Sequence, residues 1–264
     1  MALIALLAGA IGWLMRRQEI QTIFDPHSGL AERGALVTIV LIVFCVLTVG
    51  LLFGLSFTAN KRELHTFTDA FGGSLFGSLL LTLFGIAILV FSGAEWFALA
   101  QSGDLDPFAM VRLGVGVLAG FCLALMAILG HRGIHVAIPS AIPVFWLCAW
   151  LIVSHIDRAA DPVLLSYVYQ LFAKAALLLA LYHTAGYAFR QNRPGRLMFW
   201  SSVAIFFTGV AMGDEMALSY RATLLALAAT VLIYQILLTK NLARPAWKDT
   251  PYMERDFDEG YNES

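Results

Sequence analysis

Long apolar runs separated by short polar clusters dominate this chain from its first residues to about residue 239. About 20 apolar residues span the hydrocarbon core of a bilayer, so the pattern reads as a series of membrane helices. Predicted helices cover 2–17, 35–57, 70–100, 108–130, 136–154, 162–189, 197–213 and 218–239. The fold class is therefore an all-α polytopic transmembrane bundle of eight helices, with residues 1–239 as its domain. From residue 240 the chain turns polar and acidic and is expected to form a mobile cytoplasmic tail.

The first helix is the weakest. Its apolar run reaches only about 21 Å, so it must extend into the following RRQEI, thin the bilayer or lie at the interface. It has the length of a signal-peptide core, but Arg16 and Arg17 follow the run instead of preceding it, which favours a retained helix. If it does not span, seven helices remain and the later ones are unchanged.

Composition narrows the class. Charged residues are 13% of the chain, about half the roughly 25% of a soluble domain. The net charge of −1 argues neither for nor against a charged partner; the bilayer is the partner that the apolar runs imply, and no nucleic-acid partner is expected. Cys45, Cys122 and Cys148 all lie inside apolar runs and read as small hydrophobes, with no disulfide framework. No Walker, GxSxG, HExxH or GxGxxG motif occurs, and the loops are too short for a catalytic domain, so an enzyme would need its site inside the bundle. No cofactor or metal is expected.

Lys and Arg set the orientation. Even-numbered loops and the tail hold Lys61, Arg62, Arg132, Arg190, Arg193, Arg196 and four tail cations; odd-numbered loops hold Arg16, Arg17, Arg33, Arg112, Arg158 and Arg221. The larger set belongs inside, which places both termini in the cytoplasm. The other face is acidic, with Asp25, Glu32, Asp104, Asp106, Asp157, Asp161, Asp214 and Glu215. Three of these begin Asp-Pro steps, which suit helix starts; a cation-attracting vestibule is the alternative.

One charge stands out. Lys174 sits in the middle of predicted helix 6, and a charge at mid-bilayer depth costs about 3 kcal/mol or more unless it meets a partner or a wet cavity. Tyr167, Gln170 and Lys174 are spaced to share one helix face. The stripe fits a polar lining that meets solute or proton, and equally a structural salt bridge. A retinal-type Schiff base has no support from the flanking residues.

Glu95 and Glu215 each lie near an outer helix end behind a glycine, and each is followed by an arginine, Arg112 or Arg221. They fit staples between successive helices, or a solute site at the outer mouth. The two stretches, Gly93–Leu99 and Gly213–Leu218, also suggest a parallel repeat of two four-helix halves. His131 and His135 suit metal ligation only if their Gly-containing turn is helical. His155 and His183 lie at different depths, which disfavours haem. Pro139 starts helix 5 and Pro143 kinks it. The spacings Gly50-x3-Gly54, Gly73-x3-Gly77 and Gly116-x3-Gly120 predict close helix packing.

The junction after the first helix carries Arg16, Arg17, Gln18, Phe24, Asp25, Ser28, Gly29 and Leu30 in an RR-x-Q…FD-x-x-SGL pattern. It resembles the start of uncharacterised multi-pass membrane proteins of Firmicutes bacteria. The likeness covers about thirty residues; it implies a bacterial inner-membrane origin and no particular activity. Asp25 to Gly29 read as a tight turn.

These readings favour a small permease or carrier, with a substrate site at Lys174, Gln170, Tyr167, Glu95 and Glu215 and a small anionic or proton-coupled solute. The alternative is a signalling or assembly protein acting on a protein partner through its basic loops and aromatic-bearing tail.

Overall fold

The computed structural model describes residues 1–23, 35–58, 64, 66–102, 107–157, 167–191 and 193–243. Among them are nine helices and no strand. They are α1 (Ala2–Ile23), α2 (Leu36–Ser56), α3 (Phe67–Phe71), α4 (Leu75–Ser102), α5 (Pro107–His131), α6 (Ala137–Asp157), α7 (Val168–Ala188), α8 (Pro194–Ala211) and α9 (Leu218–Leu242). Eight are long, and six of those are long and apolar enough to cross a membrane. The chain is a multi-pass integral membrane protein. The junction around Asp25, the acids Asp104, Asp106 and Asp161, and residues 244–264 of the tail lie outside the described residues.

The two long helices that fall short of the apolar criterion are α1 and α8. Helix α8 packs against α1, α2, α7 and α9, and Ser201 through Thr208 are all buried. A helix surrounded by protein has no need to look like lipid, so serine and threonine are tolerated on it. Helix α2 is the opposite case. Ile39, Val43, Val46, Leu47 and Phe53 are exposed, which makes it the bundle's most lipid-facing strip.

Helix α1 does not stop at residue 17. It runs for 22 residues, long enough at 1.5 Å each to cover about 33 Å. Its buried face is Ala5, Gly9, Gly12, Arg16, Glu19 and Ile23, alternating steps of four and three. The two charges continue the stripe that the small residues begin, so the helix passes through RRQEI instead of ending before it.

Small residues set the closest crossings. A Cβ on Gly120 would lie 2.4 Å from the Leu89 amide nitrogen, and one on Gly85 would lie 2.5 Å from that of Ala124, so α4 and α5 meet backbone to backbone. Gly209 meets the Gly9 Cα at 2.7 Å in the same sense, joining α1 to α8. Gly77 and Gly116 also sit against neighbouring side chains, as predicted for packing. Gly50 and Gly54 do not: a Cβ on either meets nothing within 4 Å, because this side of α2 faces out of the bundle.

Predicted helix 3 is broken near its start. A capping box between Thr66 and Asp69 nucleates the five-residue α3, and Gly73 at φ 80° turns the chain before α4 begins. Asn241 of α9 holds α3 in place by donating to the carbonyls of Ala70 (2.9 Å) and Gly72 (3.3 Å). Phe67 and Phe71 then pack edge-on against Tyr234 and Tyr187, closing that end of the bundle. Pro107 opens α5 as predicted, and α6 stays helical across Pro143. The two stretches behind the predicted repeat take different conformations: Gly93–Leu99 are helical within α4, whereas residues 213–217 form the turn between α8 and α9.

Candidate functional site

The site lies at the end of the bundle away from α3. There the last third of α1, the first third of α7, the turn after α8 and the start of α9 converge. Four charged side chains are buried among the described residues: Arg16, Glu19, Lys174 and Asp214. Two are cations and two are acids, so their formal charges cancel. That balance offsets the cost of burying them together in the bundle.

Asp214 is the hub. Its Oδ1 accepts from Arg16 Nε at 2.6 Å, and its Oδ2 accepts from Gln170 Nε2 at 3.0 Å. Its main-chain carbonyl accepts from Arg221 Nη2 at 3.0 Å. One residue therefore ties α1, α7 and α9 to the turn it belongs to. The turn presents it by continuing the last hydrogen bonds of α8, with Gly213 donating to Val210 and Asp214 to Ala211. Gly213 must be small, since a Cβ there would lie 2.8 Å from Cγ of Arg16.

Arg16 also donates from Nη1 to Glu19 Oε2 at 2.6 Å, across one helical turn. The second Glu19 oxygen, Oε1, has no hydrogen-bond partner among the described residues. The Arg16 guanidinium lies 5.0 Å from the centroid of the Tyr169 ring. Tyr169 in turn lines an apolar groove of about 590 Å³ floored by α8 and walled by α2 and α7. Its hydroxyl too is buried without a partner among the described residues.

Lys174 lies one turn beyond Gln170, 1% exposed. Its Nζ is 5.6 Å from the Trp150 ring centroid and 5.5 Å from that of Tyr220, which meet each other edge-on at 5.0 Å. Trp146 stacks on Trp150 at 5.2 Å and donates from Nε1 to the Arg112 carbonyl. Two aromatic faces therefore share the lysine's charge. Because α7 begins at Val168, Lys174 sits about 10 Å from the helix start and not at its middle.

The predicted stripe holds together: Tyr167, Gln170 and Lys174 are all buried, with Tyr167 as the residue preceding α7. Glu95 lies within 3.7 Å of Arg112 on the rim, partly exposed. Glu215 is exposed and does not join the cluster; its neighbour Asp214 does. His135 lies in the turn after α5, whose helix ends at His131, so the pair shares no helix face. The site expected from sequence lacks Asp214, Arg16, Glu19 and Tyr169, although the four-three spacing from Ala5 onward carries the signal for Arg16 and Glu19.

No family model, no curated protein and no solved structure matches this chain.

Proposed function

We propose that this membrane protein is a carrier for a small anionic or proton-coupled solute, with the network of Arg16, Glu19, Asp214, Gln170 and Lys174 as its working centre. The observation that carries this reading is the burial of two cations and two acids, three on helices α1 and α7 and one on the turn after α8, inside a membrane bundle. Ionisable groups at such depth are expensive and typically mark solute or proton pathways.

The network offers exchangeable partners. An anionic group of a solute would compete with Asp214 for Arg16, or draw on Lys174. A proton on Glu19 would remove one of the two charges that hold Arg16. Either event alters the tie between α1, α7 and α9, and a tie among helices with two arrangements is what alternating access requires. The buried Oε1 of Glu19, without a hydrogen-bond partner among the described residues, is where such a proton would sit. Lys and Arg at the opposite end favour a cytoplasmic placement for that end and for the C-terminus, and the resemblance at the first junction favours a bacterial cytoplasmic membrane.

The test is a thermal-shift screen of detergent-purified protein against small anions, followed by uptake in liposomes with an imposed pH gradient. Ligands raise the melting temperature by mass action. The reading expects a solute that stabilises and is taken up by the wild type, with both effects lost in Lys174→Met and Glu19→Gln. Uptake unchanged in both variants would overturn it.

A further inference from the structure

We infer that the apolar groove between α2 and α7 holds one acyl chain of a bilayer phospholipid as a resident ligand. The inference goes beyond the carrier reading and does not depend on it.

The groove exists because α2 and α7 each pack on α8 and not on each other. Phe199 and Trp200 of α8 form its floor, Val46 and Val49 of α2 one wall, and Val168 and Phe172 of α7 the other. Its space is about 590 Å³, inside the roughly 300–1,000 Å³ of small-molecule sites. The lining holds no acid, base, amide or glycine. The Tyr169 hydroxyl is buried out of reach, and Cys45 is a small hydrophobe. A polar solute therefore finds nothing to bond to, and water does not fill an apolar space of this kind.

Three observations select the occupant. The first is continuity with the bilayer. Ile42 and Val46 on one wall and Phe172 on the other are exposed, as are Val43 and Leu47 beside them on α2. The groove thus opens sideways into the hydrocarbon that α2 and α7 cross.

The second is length and depth. On α7 the groove takes in Val168, the first residue of the helix, and on α8 it runs from Phe199 to Phe207. Eight residues of helix rise about 12 Å. That is close to half of the roughly 30 Å hydrocarbon core, the depth of one leaflet. The groove therefore starts at one edge of the bundle's spanning region and runs towards its middle, as an acyl chain does from its headgroup.

The third weighs against a second copy of the chain. Membrane helices associate through small residues and polar groups. The groove offers neither, and Gly50 and Gly54 of α2 lie outside it. An acyl chain gains no hydrophobic energy on leaving other lipid, so its hold comes from contact with side chains on three sides. Filling the groove must then release it.

Val46→Trp fills the groove from a wall position. Leu47→Trp puts the same side chain on α2 next to it but outside the groove. Both positions are exposed, so neither change threatens the fold. Full-length protein is purified in a maltoside detergent, and its bound phospholipid is counted by native mass spectrometry through successive detergent washes. One phospholipid retained by the wild type and by Leu47→Trp, and lost about tenfold faster or more from Val46→Trp, is the expected result. Retention should fall as the acyl chains are shortened and be the same for phosphatidylethanolamine and phosphatidylglycerol. A second readout needs no groove-filling variant: phospholipids brominated on the acyl chain should quench the wild-type fluorescence more than that of Trp200→Phe. No retained lipid, equal retention in Val46→Trp, retention set by the headgroup, or equal quenching in Trp200→Phe overturns the site. A dimer that Val46→Trp dissociates would give the groove to a second copy and overturn it as well.

Discussion

Arg16 and Asp214, 198 positions apart in the chain, are joined by a 2.6 Å ion pair between side chains each about 1% exposed. The pair links α1 to the turn between α8 and α9. Through Gln170 and Arg221 it reaches α7 and the first turn of α9 as well. Asp214 thus gathers partners from three helices, two on its carboxylate and one on its main-chain carbonyl.

Removing that carboxylate leaves a buried cation short of a partner. Asp214→Ala is expected to destabilise the bundle by about 3–5 kcal/mol. The paired change Arg16→Met with Asp214→Ala should recover part of the loss, with a coupling of about 0.5–3 kcal/mol. Melting of the two single variants and the double variant in detergent measures it; strictly additive losses would show that the pair is not coupled.

The close crossings make opposite predictions for glycines of the same apparent motif. Gly120→Val drives a side chain into the backbone of Leu89 and should prevent assembly of α4 on α5 or lower stability by more than about 3 kcal/mol. Gly50→Ala meets empty space and should be neutral or stabilising by about 0.5–1 kcal/mol, since alanine favours the helix. Thermal melting and gel-filtration profiles of the two variants distinguish the cases.

Arg190 occupies a left-handed position at φ 58°. Replacing it by glycine should stabilise the protein by about 1 kcal/mol, read as a higher melting temperature. A lower melting temperature would mean that the arginine side chain contributes more to the fold than its backbone conformation costs.

Asn241 is what holds α3 over the end of the bundle. Asn241→Ala leaves the carbonyls of Ala70 and Gly72 without their donor, a loss of about 1–3 kcal/mol. The expected signature is local: faster amide hydrogen exchange in residues 66–73, with little change in α5 or α8. Uniformly faster exchange would indicate that α3 is integral to the whole bundle instead of a docked cap.

Hydropathy alone determined that this is an all-α membrane bundle, and it located eight long helices to within a few residues at most ends. That follows because a bilayer demands about 20 apolar residues wherever lipid is met. It also marked the Tyr167–Gln170–Lys174 stripe, because helical spacing is a local property. Where a helix meets protein instead of lipid, the local signal fails. Glu19 falls beyond the predicted end of the first helix because it is charged, yet it lies inside α1 beside Arg16, whose charge it shares with Asp214 from far along the chain. Glu215 and Asp214 are adjacent and chemically alike, and only the turn geometry after α8 decides that Asp214 enters the bundle. The Gly50 and Gly54 motif matches that of Gly116 and Gly120, and only the placement of neighbouring helices separates an outward face from a crossing. Side-chain chemistry and period are written in the chain; which charges cancel and which small residues meet backbone were decided by packing across more than a hundred residues.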